Sequence, residues 1–144
     1  MDVLTKEQRR KNMQAIRSTN TKMEVVLAKA IWAKGYHYRK NDKTVFGKPD
    51  LTFKKFKIAV FVDSEYFHGK DWNISKKRIK TNRKFWWNKI ETNIKRDFDV
   101  NRKLKEEGWK ILRFWSQDVK KNLVNCTRKI ERVIEERKNA EKIF

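Results

Sequence analysis

An α/β fold, a small mixed β-sheet flanked by helices, is what the apolar pattern of this chain predicts. Three observations carry that reading. Apolar residues recur at helical spacing in two stretches, around Val25–Ile31 and Phe85–Leu104. Between them lie two short apolar runs, Leu51–Phe53 and Ile58–Val62, parted by a basic turn as in a hairpin. A further buried run, Trp109–Trp115, follows the second helix, so the chain returns to the sheet after a helical crossover.

Each element has a local reason. Thr5 to about Arg17 reads as a basic helix with Met13 and Ile16 on one side, broken at Ser18-Thr19-Asn20. Thr21-Lys22-Met23-Glu24 is a capping-box pattern ahead of Val25, Val26, Leu27, Ala30 and Ile31, and Gly35 is a stop. Tyr36-His37-Tyr38 predicts a short strand and Asn41-Asp42 a turn. The hairpin then turns near Lys54-Lys55. Asp63 to Lys80 has no clear period and reads as an irregular loop. From Thr81 a long helix directs Phe85, Trp86, Ile90, Ile94 and Leu104 inward, and Gly108 closes it. Ser116-Gln117-Asp118 caps a last amphipathic helix carrying Leu123, Ile130, Val133 and Ile134.

At 144 residues the chain predicts one domain, residues 1–144, in which a basic N-terminal helix (1–20) precedes a core (21–144). Charged residues make up 39% and apolar ones 38%, which is globular composition. A net charge of +20 points to a polyanionic partner, nucleic acid first and an anionic membrane surface second. No apolar stretch approaches the ~20 residues that span a bilayer, and Met1–Thr5 lacks a signal-peptide apolar region. Cys126 is a single cysteine, which excludes an intrachain disulfide and a zinc site built mainly from thiolates. A reducing, cytoplasmic location is expected, with no membrane partner and no small-molecule cofactor.

Against that basic background, Gly47–His68 concentrates acids. The hairpin puts Asp50 at the start of one strand and Asp63, Glu65 and His68 just past the end of the other, and antiparallel pairing brings those ends together. Carboxylates gathered on a cationic protein suit a metal-dependent attack on phosphodiesters. Magnesium fits, held by Asp50, Asp63 and a strand-end carbonyl such as that of Val62. Asp50 could also be a turn acid after Pro49, and His68 a loop histidine that packs; as a base, His68 has an ordinary pKa of roughly 6.5. Glu24 stands equally as the capping-box acid, worth about 0.5–2 kcal/mol, and as a site acid. Asp97 reads as a helix-surface ion pair or a site acid, and Glu65 as a ligand or a partner of Lys70. Lys76, Lys77, Arg78 and Arg83, with Arg10 and Lys11 earlier, form either solvated runs or a clamp on DNA phosphates.

Several blocks taken together resemble the very-short-patch repair (Vsr) endonucleases, a branch of the PD-(D/E)XK nuclease superfamily. They are Arg10–Ile16, Glu24, Gly47-Lys48-Pro49-Asp50, Phe61-Val62-Asp63, Tyr66-Phe67-His68-Gly69, Thr81 to Phe85-Trp86, Lys89-Ile90, Asn93, Arg96-Asp97 and Gly108–Leu112. The resemblance implies a restriction-endonuclease-like core and a magnesium-dependent nick in one strand of duplex DNA at a T:G mismatch. It implies a metal-binding catalytic role for Asp50, water handling for His68, and site positions for Glu24 and Asp97. Met13, Tyr66 and Phe67 fall where the family wedges side chains into DNA. Members commonly hold a structural zinc, but this chain has Glu65, Lys70, Trp72 and Gln117 at those places, so none is expected. The best-known members also have a histidine where Asp63 stands, which makes Asp63 a candidate extra ligand. A monomer suits a single-strand cut. A restriction-type nuclease using the same site and a non-catalytic nucleic-acid-binding module are the competing readings.

Overall fold

The structure is a computed structural model, and it describes residues 21–143. The helix expected over 5–17, with Arg10, Lys11 and Met13, lies outside the described residues. Helix α1 (Lys22–Ala33) begins at Thr21, whose Oγ1 accepts the Glu24 N–H at 3.4 Å and so satisfies one orphan amide of the first turn. Gly35 follows at φ +89°, and the Tyr36 N–H returns to the Ile31 carbonyl, which ends the helix.

The sheet has four strands in the order β1 (Arg39–Lys40), β2 (Leu51–Phe53), β3 (Ile58–Asp63) and β4 (Lys110–Trp115). The first three pair antiparallel, and β4 runs parallel to β3. The hairpin turns through a 3₁₀ segment, Lys54–Phe56, with Lys57 left-handed at φ +53°. A parallel neighbour needs a crossover. It is supplied by the long helix α3 (Arg83–Glu106), reached through the short helix α2 (Trp72–Ser75) and a 3₁₀ turn at Lys76–Arg78. After β4 come α4 (Ser116–Lys121) and α5 (Leu123–Ile143).

The period of two along β3 sorts its side chains onto two faces. Ile58, Val60 and Val62 join Leu27 and Ile31 of α1 and Ile130 and Ile134 of α5 in the main core. Ala59 and Phe61 join Val100 and Leu104 of α3 in a smaller one. Asp63 shares the parity of Ala59 and Phe61, so it faces α3. Gly47 anchors the loop leading to Asp50 against the same helix: at φ +81° it lies so close that a Cβ would clash with the Val100 side chain.

Four expectations are corrected. The first strand is Arg39–Lys40 and not Tyr36–Tyr38, because those aromatics pack locally: the Tyr38 hydroxyl donates to the Ala28 carbonyl (2.9 Å) and His37 stands edge-on to Trp32. The irregular 63–80 segment contains α2 and a 3₁₀ turn. Phe85 is 58% exposed, in the first turn of α3. The last helix is two helices, broken at Asn122 (φ −132°, ψ 47°), and Ser116 does not cap it. Among the described residues, no helix is long and apolar enough to cross a membrane.

Candidate active site

At the entry to β2, Asp50 reaches across to β3, and the Val62 N–H donates to its Oδ2 at 2.6 Å. A strand residue turns its N–H and C=O to the same neighbour. The Val62 carbonyl therefore also faces the Asp50 end of β2. From α1, the buried Glu24 adds a second acid beside Asp50, and its charge is among the causes that raise the Asp50 pKa. So Glu24 lends its backbone to the Thr21 cap and its side chain to the site, and the two halves of a capping box are separated. An acid beside another disfavours its ionisation unless a cation intervenes. Burial first, then the Glu24 and Asp63 charges, push the Asp50 pKa up to about 8, against the pull of the Val62 amide. Among the described residues, the ion pairs of this region run to Asp63 and Asp97, not to Asp50 or Glu24.

The α3 side of the sheet holds a second cluster. His68 Nδ1 lies 2.6 Å from Asp97 Oδ2 and 3.7 Å from Asp63 Oδ1. Arg113 Nη1 donates to both Asp63 oxygens at 3.1 and 3.0 Å and sits 3.6 Å from Asp97 Oδ1. The Arg113 Nε bonds the Asn101 side chain at 2.7 Å, and its guanidinium lies 4.1 Å from the centre of the Phe61 ring. Burial raises the Asp63 pKa, and Arg113 and His68 only partly reverse the shift. Burial alone would lower the His68 pKa. The Asp97 hydrogen bond and the Asp63 and Asp97 charges outweigh it and hold the ring above its ordinary value. Asp63, His68 and Asp97 each offer a ligand atom within 4.8 Å of the others, so this group too could hold a metal. It already contains a cation, however, in Arg113.

Arg113 is the residue that the sequence reading missed. Its signal was a charge between the buried Leu112 and Phe114, which must find a partner. Arg113→Ala should cost about 3–5 kcal/mol of stability, because two part-buried acids lose their cation. The loss should be smaller at pH 5 than at pH 8. Asp63, with a folded pKa above its unfolded one, favours the folded state less as pH rises, and without Arg113 that slope steepens. Thermal unfolding at the two pH values checks this; an equal loss at both would assign the effect to packing.

The loop after β3 bears Tyr66 and Phe67, which meet edge to face at 5.1 Å between ring centres. Trp86 of α3 closes on them at 5.7 and 6.1 Å, and Phe85 follows at 5.3 Å from Trp86. Tyr66 stays 46% exposed, so this aromatic cluster has a free edge beside the acids. Among the described residues Glu65 makes no ion pair with Lys70 through its side chain. Its carboxylate accepts from the Ser116 hydroxyl and the Gln117 N–H. Of the cationic loop, Lys77 and Arg78 are exposed. Lys76 and Arg83 lie over the Trp87 ring at 5.6 and 5.4 Å. The sheet thus brings Glu24, Asp50, Val62, Asp63, His68 and Asp97 to one end, with Tyr66 and Phe67 at its border. Arg10, Lys11 and Met13 lie outside the described residues.

Known proteins match this chain over most of its length. Residues 1–74 match the family described as DNA mismatch endonuclease Vsr. The chain is 54% identical over 142 residues to a type II nicking enzyme, V.NmeDIP, of Neisseria meningitidis serogroup C, covering 99% of this chain and 96% of that protein. It is 52% identical over 138 residues to the type II nicking enzyme V.HpaIIP of Haemophilus parainfluenzae (95% and 98% covered). To the DNA mismatch endonuclease Vsr of Escherichia coli strain K12 it is 32% identical over 114 residues (79% and 72% covered). With the mixed sheet and the acids at its end, these matches place the chain in the Vsr family of DNA endonucleases.

Proposed function

We propose that this protein nicks one strand of duplex DNA at a T:G mismatch, with a divalent cation, magnesium in the first instance, held at Asp50. The observation that carries the reading is the Asp50–Glu24 pair: neighbouring acids, Asp50 with its pKa raised to about 8 by burial and by the Glu24 charge, and no protein cation paired with them among the described residues. Carboxylate oxygens and a strand-end carbonyl are the donors a hard divalent ion takes, so the residues fit it. Asp50, Glu24 and the Val62 carbonyl would hold it. Asp63, engaged through both oxygens by Arg113, serves the neighbouring cluster instead. Such an ion supplies positive charge against the scissile phosphate.

The remaining steps belong to the chain. Asp97 fixes the His68 ring by accepting from Nδ1–H, which leaves Nε2 with its lone pair outward. Nε2 accepts the proton of the attacking water, and Asp97 stabilises the imidazolium that results. Arg113 keeps Asp63 and Asp97 from repelling one another and the phosphate. Tyr66 and Phe67, backed by Trp86, enter the duplex beside the lesion. Unstacking costs a few kcal/mol per step and is least at a mismatch, so the wedge also selects. The names of the relatives, as nicking and mismatch enzymes, support a single-strand cut at a mismatch, and one site per chain suits a monomer.

The test is a panel of otherwise identical duplexes carrying T:G, other mismatches or full pairing, with magnesium. Preferential nicking of the T:G strand is expected; equal cleavage of paired duplex would make the protein a restriction-type nuclease. Replacing Lys77 and Arg78 together with alanine should weaken binding about equally on all these duplexes. It should also flatten the slope of log affinity against log salt by about two. An unchanged slope would remove both residues from the phosphate contact.

A further inference from the structure

We propose that Glu65 is a positioning residue, which clips the loop carrying Tyr66, Phe67 and His68 onto the β4–α4 junction before DNA arrives. The clip itself stands on hydrogen bonds; its consequence for rate rests on the catalytic reading above. Both carboxylate oxygens are engaged. Oε1 accepts from Ser116 Oγ at 3.1 Å and from the Gln117 N–H at 2.8 Å, and Oε2 accepts from Ser116 Oγ at 2.8 Å. Those donors open α4, where backbone amides have no intrahelical acceptor and Trp115, at the N-cap position, offers no side-chain bond. Glu65 supplies that acceptor from 52 residues earlier in the chain. Burial would raise its pKa, but the Gln117 amide and the Ser116 hydroxyl hold it below the usual carboxylate range.

The position of the clip gives it leverage. The last registered pair of β3 and β4 is Asp63 with Trp115. Glu65 and Gln117 each lie two residues further on, so the bond extends the parallel pairing past the sheet. The Lys70 N–H closes the loop onto the Glu65 carbonyl at 2.9 Å, and the Lys70 ammonium lies 5.7 Å from the centre of the Trp115 ring. On the opposite flank α3 grips the same loop. Asn93 Nδ2 donates to the Phe67 carbonyl at 3.0 Å, and a Cβ on Gly69 would lie 2.5 Å from Ile94 Cδ1. Without Glu65 the loop keeps its α3 contacts and loses its tie to the α4 start. A loop held on one side lets the wedge and the base drift, and a misplacement of ~1 Å can cost about a hundredfold in rate.

A negative side chain beside bound DNA would otherwise only repel phosphate, so removing it would tighten binding and leave the rate alone. The clip requires the opposite. In Glu65→Ala, amide exchange of Tyr66, Phe67, His68 and Gln117 in the free protein should quicken at least about tenfold. The nicking rate at saturating T:G duplex should fall about tenfold to a hundredfold, with KM changed only a few-fold. Glu65→Gln, whose amide oxygen still accepts the Gln117 N–H, should fall between and covers the case in which the alanine variant does not fold. Wild-type exchange in both variants overturns the clip. Quickened exchange with a wild-type saturating rate overturns the positioning role. If the unaltered protein nicks no duplex at all, the catalytic reading has failed, and exchange in these variants still decides the clip.

Discussion

Asp50→Asn is expected to abolish strand cleavage, with a loss of about a thousandfold or more in nicking rate, while leaving the folded protein as stable as before or more so. The first half follows from the several kcal/mol of transition-state charge stabilisation that a bound cation contributes, each ~1.36 kcal/mol of it being tenfold in rate. The second half follows from the sign of the pKa shift. The folded Asp50 carboxyl, buried against Glu24, has its pKa pushed up to about 8, whereas the unfolded chain has an ordinary aspartate. Between those limits the native state binds the extra proton, so in the absence of a divalent ion stability falls as pH rises. Asparagine removes that slope. Thermal unfolding of both proteins at pH 5 and pH 9 in chelator, beside a nicking assay, checks it. A variant that nicks normally, or one that unfolds more readily than wild type at pH 9, would contradict the assignment.

His68→Ala should cost about 10²–10⁴-fold in rate, the usual worth of a positioned general base. Because Asp97 and Asp63 hold the His68 pKa above its ordinary value, the rate of the intact protein should still be climbing above pH 6.5. Asp97→Asn removes the charged acceptor, so the acid limb of the pH–rate profile should move to lower pH while the plateau drops. Stability runs the other way. A histidine with a raised folded pKa contributes stability that is fully present below about pH 6.5 and is lost as pH climbs through the folded value. His68→Ala should therefore lose more stability at pH 5.5 than at pH 8.5. An unshifted acid limb in Asp97→Asn would detach His68 from the chemistry.

Much of the core was legible because its signals are local and periodic. Two short apolar runs, Leu51–Phe53 and Ile58–Val62, parted by a basic turn, placed β2 and β3. Other features depend on which face a side chain takes, and no local period states that. Glu24 read both as a cap and as a site acid; its N–H serves the Thr21 cap, while its charge acts on Asp50, which lies 26 positions on. Asp63 was legible as a candidate ligand, but its partner was not: Arg113, brought alongside by the parallel strand, bonds both its oxygens. Phe85 looked inward because a helical stripe was extended past the end of the sheet that covers it. The loop after β3 had no period from which its support could be read. Glu65 holds it through donors that only the fold brings near.

A divalent cation at this site must displace the proton that the raised pKa keeps on Asp50. Calorimetric titration with manganese or magnesium at pH 7, in two buffers of different ionisation enthalpy, tests it most directly. Binding should release close to one proton, seen as a buffer-dependent heat, and both binding and proton release should vanish in Asp50→Asn. Buffer-independent binding of equal strength in the two proteins would place the ion elsewhere and contradict the assignment.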